Sequence, residues 1–290
     1  MSRAGTPSGP QPTVVWLDGG LVDADAARIS PFDHGLLVGD GVFETLRVYG
    51  GTPFAWRRHH ERLAASATGL GLAVPDSAAL RRAADAVLDA NGLSEARLRI
   101  TVTGGPSPLG SERGADGPTV IVAASEVRPW PRVEAVVTVP WPRTDRGATA
   151  GLKTISYAEN VRALAHAQAQ GASEAIFLNT RDELCEATGS NVFVVAGRRV
   201  STPPGSSGCL LGVTRALVVE LGPSVGIDVV ESTLAPNALA TADEAFLTSS
   251  TREVQAISQV DGVALPRAPG PVTERFAEAF SALVGRDLDP

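Results

Sequence analysis

The sequence predicts an α+β protein of two domains, and three observations carry that expectation. Its 290 residues exceed the roughly 150 of a typical domain and suit two units or one large one. Short apolar runs of strand length are separated by Gly-Gly and Gly/Pro turns. Amphipathic stretches with helical spacing are mixed among them, without the strict strand–helix alternation of a parallel α/β sheet.

Residues 1–12, MSRAGTPSGPQP, are rich in Gly, Pro and Ser and hold no apolar run. They read as a disordered tail and not as a secretion signal. A smaller domain over residues 13–125 opens with strands at Val14–Leu17 and Val42–Val48, with turns at Gly19-Gly20 and Gly50-Gly51. A helix follows over Arg58–Thr68, with Leu63, Ala64 and Ala67 on one face and Gly69 ending it. In the next helix Asp76 or Ser77 is the N-cap, Leu80, Ala83, Ala84, Val87 and Leu88 form the apolar stripe, and Asn91-Gly92 is the stop. Strands Ala96–Thr103 and Thr119–Ala124 flank a Gly/Pro/Ser-rich loop at Gly104–Gly117, suited to a substrate lid or a hairpin tip.

Glu126–Pro131 reads as a linker, and a larger domain over 132–290 begins with strand Val133–Val139. A helix over Tyr157–Gln170 is closed by Gly171, and strands Ala175–Asn179 and Asn191–Val195 follow, with a turn at Thr180–Glu183 between them. Another helix starts near Val213–Thr214 and stops at Gly222, Ala245–Thr248 is a strand, and a last helix runs over Val272–Val284 with Pro271 in its first turn.

The net charge of −7 argues against nucleic acid or an acidic membrane as partner. No apolar run approaches the length of a membrane span. Cys185 and Cys209 make no disulfide framework and fit a reducing cytosol, so a soluble cytoplasmic protein is expected, with no metal site. Of the 25 basic residues, 24 are arginine and one is Lys153. Arginine pairs carboxylates and binds phosphate, but it cannot offer an amine that loses its proton near neutral pH. The position that kept lysine is therefore a candidate for amine chemistry.

Four segments supply the rest of a site. Lys153 lies in GLKTISY just before a helix, and Glu186 lies in LCEATGSNVF between two strands. Thr214 opens a helix in GCLLGVTRAL, and FLTSSTREV ends a strand in the hydroxyl cluster Thr248–Thr251. Singly, these are an N-cap, a turn or a paired carboxylate. Together they offer an anion site at a helix start, an amine and a carboxylate. Pyridoxal 5'-phosphate asks for these three: an amine to join its aldehyde, a cradle for its phosphate and a carboxylate for its ring nitrogen.

Six blocks, in order, carry a resemblance. They are SPFDHGLLVGDGVFETLRVYGG (Ser30–Gly51), HHERL (His59–Leu63), GLKTISYAEN, EAIFLNTRDELCEATGSNVF, LLGVTRAL and EAFLTSSTREV. Over about residues 13–285 the chain resembles the class IV aminotransferases, the fold-type IV pyridoxal-phosphate enzymes. That family includes branched-chain and D-amino-acid aminotransferases, R-selective amine transaminases and aminodeoxychorismate lyase. The resemblance implies two domains with the cofactor between them, a small-molecule amine or amino-acid substrate, and a homodimer. It makes Lys153 the catalytic Schiff-base lysine and Glu186 the partner of the ring nitrogen. It assigns Arg62, Val213 (through its amide), Thr214 and Ser250 to the phosphate, with Ser249 beside them, and gives Ser190 and Asn191 positioning roles. Tyr157 and Arg47 are pocket candidates.

Within the family, Leu109-Gly110-Ser111 stands where D-amino-acid enzymes carry an Arg-x-His pair, and Arg97–Thr103 (RLRITVT) does not match the Tyr-x-Arg-Pro strand of branched-chain enzymes. The first block is most like the lyases, which release pyruvate and 4-aminobenzoate in folate synthesis, so the lyase is the expectation and an aminotransferase the alternative. Thr103-Gly104-Gly105 lacks the arginine that many relatives place before glycine, leaving Arg47, Arg99 and Arg113 as candidates to hold a substrate carboxylate. An aldolase-type lysine enzyme would need no phosphate cup, and a phosphate-binding module would have no use for Lys153.

Overall fold

The computed structural model describes residues 13–290, so the expected tail at residues 1–12 lies outside the described residues. Two sheets of mixed α+β architecture form, and the chain divides into two compact units.

The first unit runs to Pro129 and also takes in Lys153–Ser156 and Asp289. Its strands are β1 (Val14–Leu17), β2 (Gly20–Asp23), β3 (Gly41–Tyr49), β4 (Thr52–Pro53), β5 (Ala96–Thr103) and β6 (Val120–Glu126). They form an antiparallel sheet in the order β2-β1-β6-β5-β3-β4. Its helices are α1 (His34–Leu37), α2 (Trp56–Leu70) and α3 (Ser77–Asn91). Strand alternation puts Val42, Leu46, Val48, Leu98, Ile100, Val122 and Ala124 on one face, where they share a core with Leu63 and Ala67 of α2 and the α3 stripe. The Asp76 carboxylate accepts from the Ala79 amide (2.9 Å) to start α3, and Gly92 (φ 63°) ends it, as the sequence indicates. Helix α2 does not stop at Gly69. It runs on to Gly71, whose φ of 68° supplies the left-handed C-cap that the helical Gly69 does not.

The second unit holds β7 (Val133–Thr138), α4 (Ala158–Ala169), β8 (Glu174–Leu178), β9 (Leu184–Ala187), β10 (Asn191–Ala196), β11 (Arg199–Thr202), α5 (Val213–Leu221), β12 (Asp228–Glu231), β13 (Glu244–Ser249), β14 (Glu253–Val260), β15 (Val263–Ala264) and α6 (Pro271–Arg286). The sheet order is β12-β11-β10-β13-β14-β7-β8-β9, with β15 paired to β14. Its core includes Phe193 and Phe246, stacked with centroids 4.7 Å apart, and Phe276 of α6, 5.7 Å from Phe246. Glu186 lies on strand β9 itself, not between strands.

Residues 153–156 fall inside the stretch that the sequence assigns to the larger domain, yet they belong to the first unit. The reason is backbone pairing with the start of β3. The Phe43 amide donates to the Lys153 carbonyl (3.0 Å) and the Ile155 amide to the Gly41 carbonyl (2.9 Å), around a Val42–Thr154 bridge.

Candidate active site

In the first unit, neighbouring residues of β3 point to opposite faces and do different jobs. The Phe43 ring has the Lys153 amine 4.4 Å from its centroid, and the Arg99 guanidinium carbon lies 3.8 Å from the same centroid. The Lys153 backbone amide donates to the Ser66 hydroxyl of α2 (3.1 Å), so the lysine is held by strand and helix together.

Glu44, next along β3, turns into the core and is 1% exposed. Arg62 of α2 grips it with two bonds, Nε to Oε1 and Nη2 to Oε2, each 2.8 Å. His59, one turn earlier, donates through Nδ1 to Oε2 (2.7 Å). Burial opposes ionisation of Glu44, but the Arg62 and His59 charges and bonds outweigh it and hold the carboxyl far below its usual range. Burial lowers the pKa of His59 against the pull of Glu44. Glu44 was not among the sequence candidates. The available signal was an acidic residue in phase with Val42, Leu46 and Val48 on the inward face of a strand.

In the second unit, the Leu210 amide donates to Glu186 Oε2 (2.9 Å), and Arg143 Nε lies 3.4 Å from Oε1. Asn191, at the start of β10, donates from Nδ2 to the Leu210 carbonyl (2.7 Å). Asn191 thus holds Leu210 by its carbonyl, and the amide of the same residue holds Glu186. Ser190 has another partner: its hydroxyl donates to Glu174 (3.3 Å), which also takes the Thr188 amide (3.2 Å). Helix α5 follows directly from the loop that carries Leu210. Its N-cap is Gly212, no side chain caps its first turn, and Val213 and Thr214 are buried. The amides of that turn have no carbonyl one turn back to bond, which makes a helix start receptive to anions. Thr248 pairs with Asn191 across β13 and β10, and its buried hydroxyl has no hydrogen-bond partner.

The family model of amino-transferase class IV matches residues 41–260. The chain belongs to that family. A putative branched-chain-amino-acid aminotransferase of Methanocaldococcus jannaschii is 34% identical over 274 residues, covering 92% of this chain and 94% of the relative. The aminodeoxychorismate lyase of Bacillus subtilis is 31% identical over 256 residues, covering 86% and 87%. Among solved structures, the branched-chain amino acid aminotransferase of Escherichia coli is 28% identical, covers 94% of this chain and 95% of its own, and superposes with a TM-score of 0.89.

Class IV aminotransferases use pyridoxal 5'-phosphate, and a similar branched-chain enzyme has been solved with pyridoxamine 5'-phosphate. The residues of this chain fit that cofactor. The second unit offers an uncapped helix start, a buried hydroxyl lacking a partner at Thr248 and a carboxylate held by a peptide N–H, and the first offers the lysine amine. Among the described residues no helix is long and apolar enough to cross a membrane.

Several sequence candidates have other employment. Ser249 accepts from the Arg252 amide (3.2 Å) and closes the β13–β14 turn. Arg47 bonds Glu95 (2.6 Å) and stacks on Tyr49. It is five residues along β3 from Val42, which bridges Thr154, about 17 Å at the rise of a strand. Arg113 bonds both oxygens of Asp40 at 2.7 Å and the carbonyls of Leu70 and Gly71, so it ties down the 104–117 loop. Of the three arginines named for a substrate carboxylate, Arg99 is the one whose guanidinium lies against the Phe43 ring, which the lysine amine also approaches. Tyr157 is the N-cap residue of α4, its carbonyl accepting from the Val161 amide (2.9 Å).

Proposed function

We propose that this class IV enzyme is an aminotransferase that exchanges nitrogen between an amino acid and a keto acid. The observation that carries the reading is the cluster on Phe43, with the Lys153 amine and the Arg99 guanidinium on one ring. It offers a base for the carbon bearing nitrogen and a cation for a substrate carboxylate. The relatives named branched-chain aminotransferases, at 34% and 28% identity, favour a branched-chain amino acid as donor.

In this reading Lys153 holds the cofactor through its amine and moves the proton at the substrate carbon. Arg62, oriented by Glu44, binds the phosphate with the Val213 amide, Thr214 and Ser250. Glu186 faces the ring nitrogen. When bound, pyridoxal phosphate supplies the electron sink for the pair left behind as the proton departs. The homodimer implied by the family resemblance is supported by apolar side chains exposed on the first unit: Phe32 (51%), Leu36 (71%) and Leu109 (75%). The Ser107 amide bonds the Phe32 carbonyl (3.0 Å) and His34 Nε2 bonds the Pro108 carbonyl (3.1 Å), which ties together the two segments that bear them. Two buried free cysteines are consistent with a cytoplasmic setting.

A second reading, 4-amino-4-deoxychorismate lyase of folate synthesis, is favoured by the SPFDHG–GVFET block and by the Bacillus subtilis relative. One experiment separates the two. The purified protein is given a branched-chain amino acid with a keto acid, or aminodeoxychorismate, and the products are identified. Nitrogen exchange is expected, together with a visible absorption band that Lys153→Ala removes. Release of pyruvate and 4-aminobenzoate without exchange would instead establish the lyase. A band unchanged in Lys153→Ala would remove the lysine from the chemistry of both.

A further inference from the structure

We infer that Arg143 is a positioning residue for Glu186, and that it holds this carboxylate as the anionic partner of the cofactor's ring nitrogen. The inference rests on the reading of Glu186 proposed above and goes beyond it by adding the group behind that carboxylate.

Arg143 is fixed from several sides before Glu186 is considered. Its backbone amide donates to the Leu178 carbonyl (2.7 Å), and its guanidinium lies over the Phe177 ring with 4.0 Å from Cζ to the centroid. Its Nη1 donates to Glu159 Oε2 (2.8 Å) and Asn160 Oδ1 (3.0 Å) at the start of α4. Asn160 is fixed in turn by a short bond from its amide nitrogen to the Thr188 carbonyl. What remains is the Nε edge. It is buried, makes no aligned hydrogen bond, and has Glu186 Oε1 at 3.4 Å. The side chains of Arg143 and Glu186 are 16% and 14% exposed, so little water screens the pair.

Strand β9 brings Glu186 to this preformed cation, and the Leu210 amide takes its other oxygen. A carboxylate held from two sides cannot swing away. A positive charge behind it also lets it face a protonated ring nitrogen as an anion. Lysine could not replace Arg143 here. The site uses a planar group that stacks on Phe177 while its two edges serve different carboxylates.

The test is a double-mutant cycle on the holoenzyme, read by the rate at which diluted protein loses cofactor and by the 15N resonance of pyridoxal phosphate labelled at the ring nitrogen. In the wild-type background Arg143→Met should speed cofactor loss roughly tenfold and move the resonance toward that of a neutral pyridine, whereas in a Glu186→Gln background it should add less than about twofold. Arg143→Lys should fall between and serves as the comparison if the Met variant does not fold. Equal acceleration in both backgrounds would show Arg143 to be a general stabiliser of the unit and would overturn the inference. So would an unchanged rate and resonance in the wild-type background. If Glu186→Gln alone changes neither readout, the reading of Glu186 fails first, and that outcome is distinct from the other two.

Discussion

Glu44 shows how much one side chain can organise in this molecule. It is a fully buried carboxylate satisfied by Arg62 and His59, and removing one member of such a set leaves an uncompensated buried charge. Glu44→Gln should therefore lower stability by about 3–5 kcal/mol, with weaker retention of cofactor as Arg62 loses its orientation. Thermal melts with and without cofactor check both effects. The pH dependence has a definite sign. The folded-state pKa of Glu44 is depressed below the ordinary 4.5, so its contribution is present above that value and is lost as pH falls. That of His59 is depressed below 6.5, so acidification through 6.5 also favours the unfolded chain. Stability should fall from pH 7 toward pH 4 and below, and Glu44→Gln should flatten the portion below 4.5. A melting temperature insensitive to the substitution would refute this account. Lys153 and Glu186 were candidates from the sequence alone because amine and carboxylate chemistry restricts residue type. Glu44 and Arg143 were not, because their roles depend on what faces them, and one acidic residue in a strand or one arginine among 24 announces nothing alone.

At the scale of elements, the helices were read more surely than the strands. The caps of α3 and the Pro271 start of α6 depend on local chemistry that a few residues encode. The eight-residue strand β14 escaped because its buried positions are partly polar: Gln255 is 3% exposed and spends its side chain on Arg252 and the Pro131 carbonyl. Such a strand lacks the apolar alternation that marks its neighbours. The turn into α5 gives a sharper test. A Cβ on Gly212 would lie 2.1 Å from Asn191 Oδ1, and Asn191 holds the carbonyl of Leu210, the residue whose amide bonds Glu186. Gly212→Ala should cost about 1–3 kcal/mol through overpacking and loosen Glu186 as well. Adding Asn191→Ala should restore part of the stability but not the cofactor retention, since the clash is gone while the Leu210 carbonyl has lost its donor. Recovery of both would mean that Asn191 only fills space.

At the scale of the whole molecule, the fold class was legible, and the path of the chain was not. Residues 153–156 belong to the unit whose other residues end at Pro129, apart from Asp289, because pairing with β3 is non-local and leaves no mark on a sequence read segment by segment. The exposed surface is similar in kind: Leu109 reads as a loop residue, and only the structure ties its segment to the one that carries Phe32 and Leu36. Isolated apolar side chains on a surface are ordinary, but a cluster signals a covered face. The lone Val161 on α4, 66% exposed, provides the contrast to Leu36 at 71%. If the cluster on the first unit is the homodimer face, Leu36→Glu places a charge where a second copy must exclude water, and light scattering after size exclusion should show the mass falling from two chains to one at micromolar concentration. Val161→Glu, similarly exposed but on α4 of the second unit, is the comparison and should leave the mass at two chains. A wild-type protein that elutes as a single chain, or a Leu36→Glu variant that stays paired, would refute the assignment of this face.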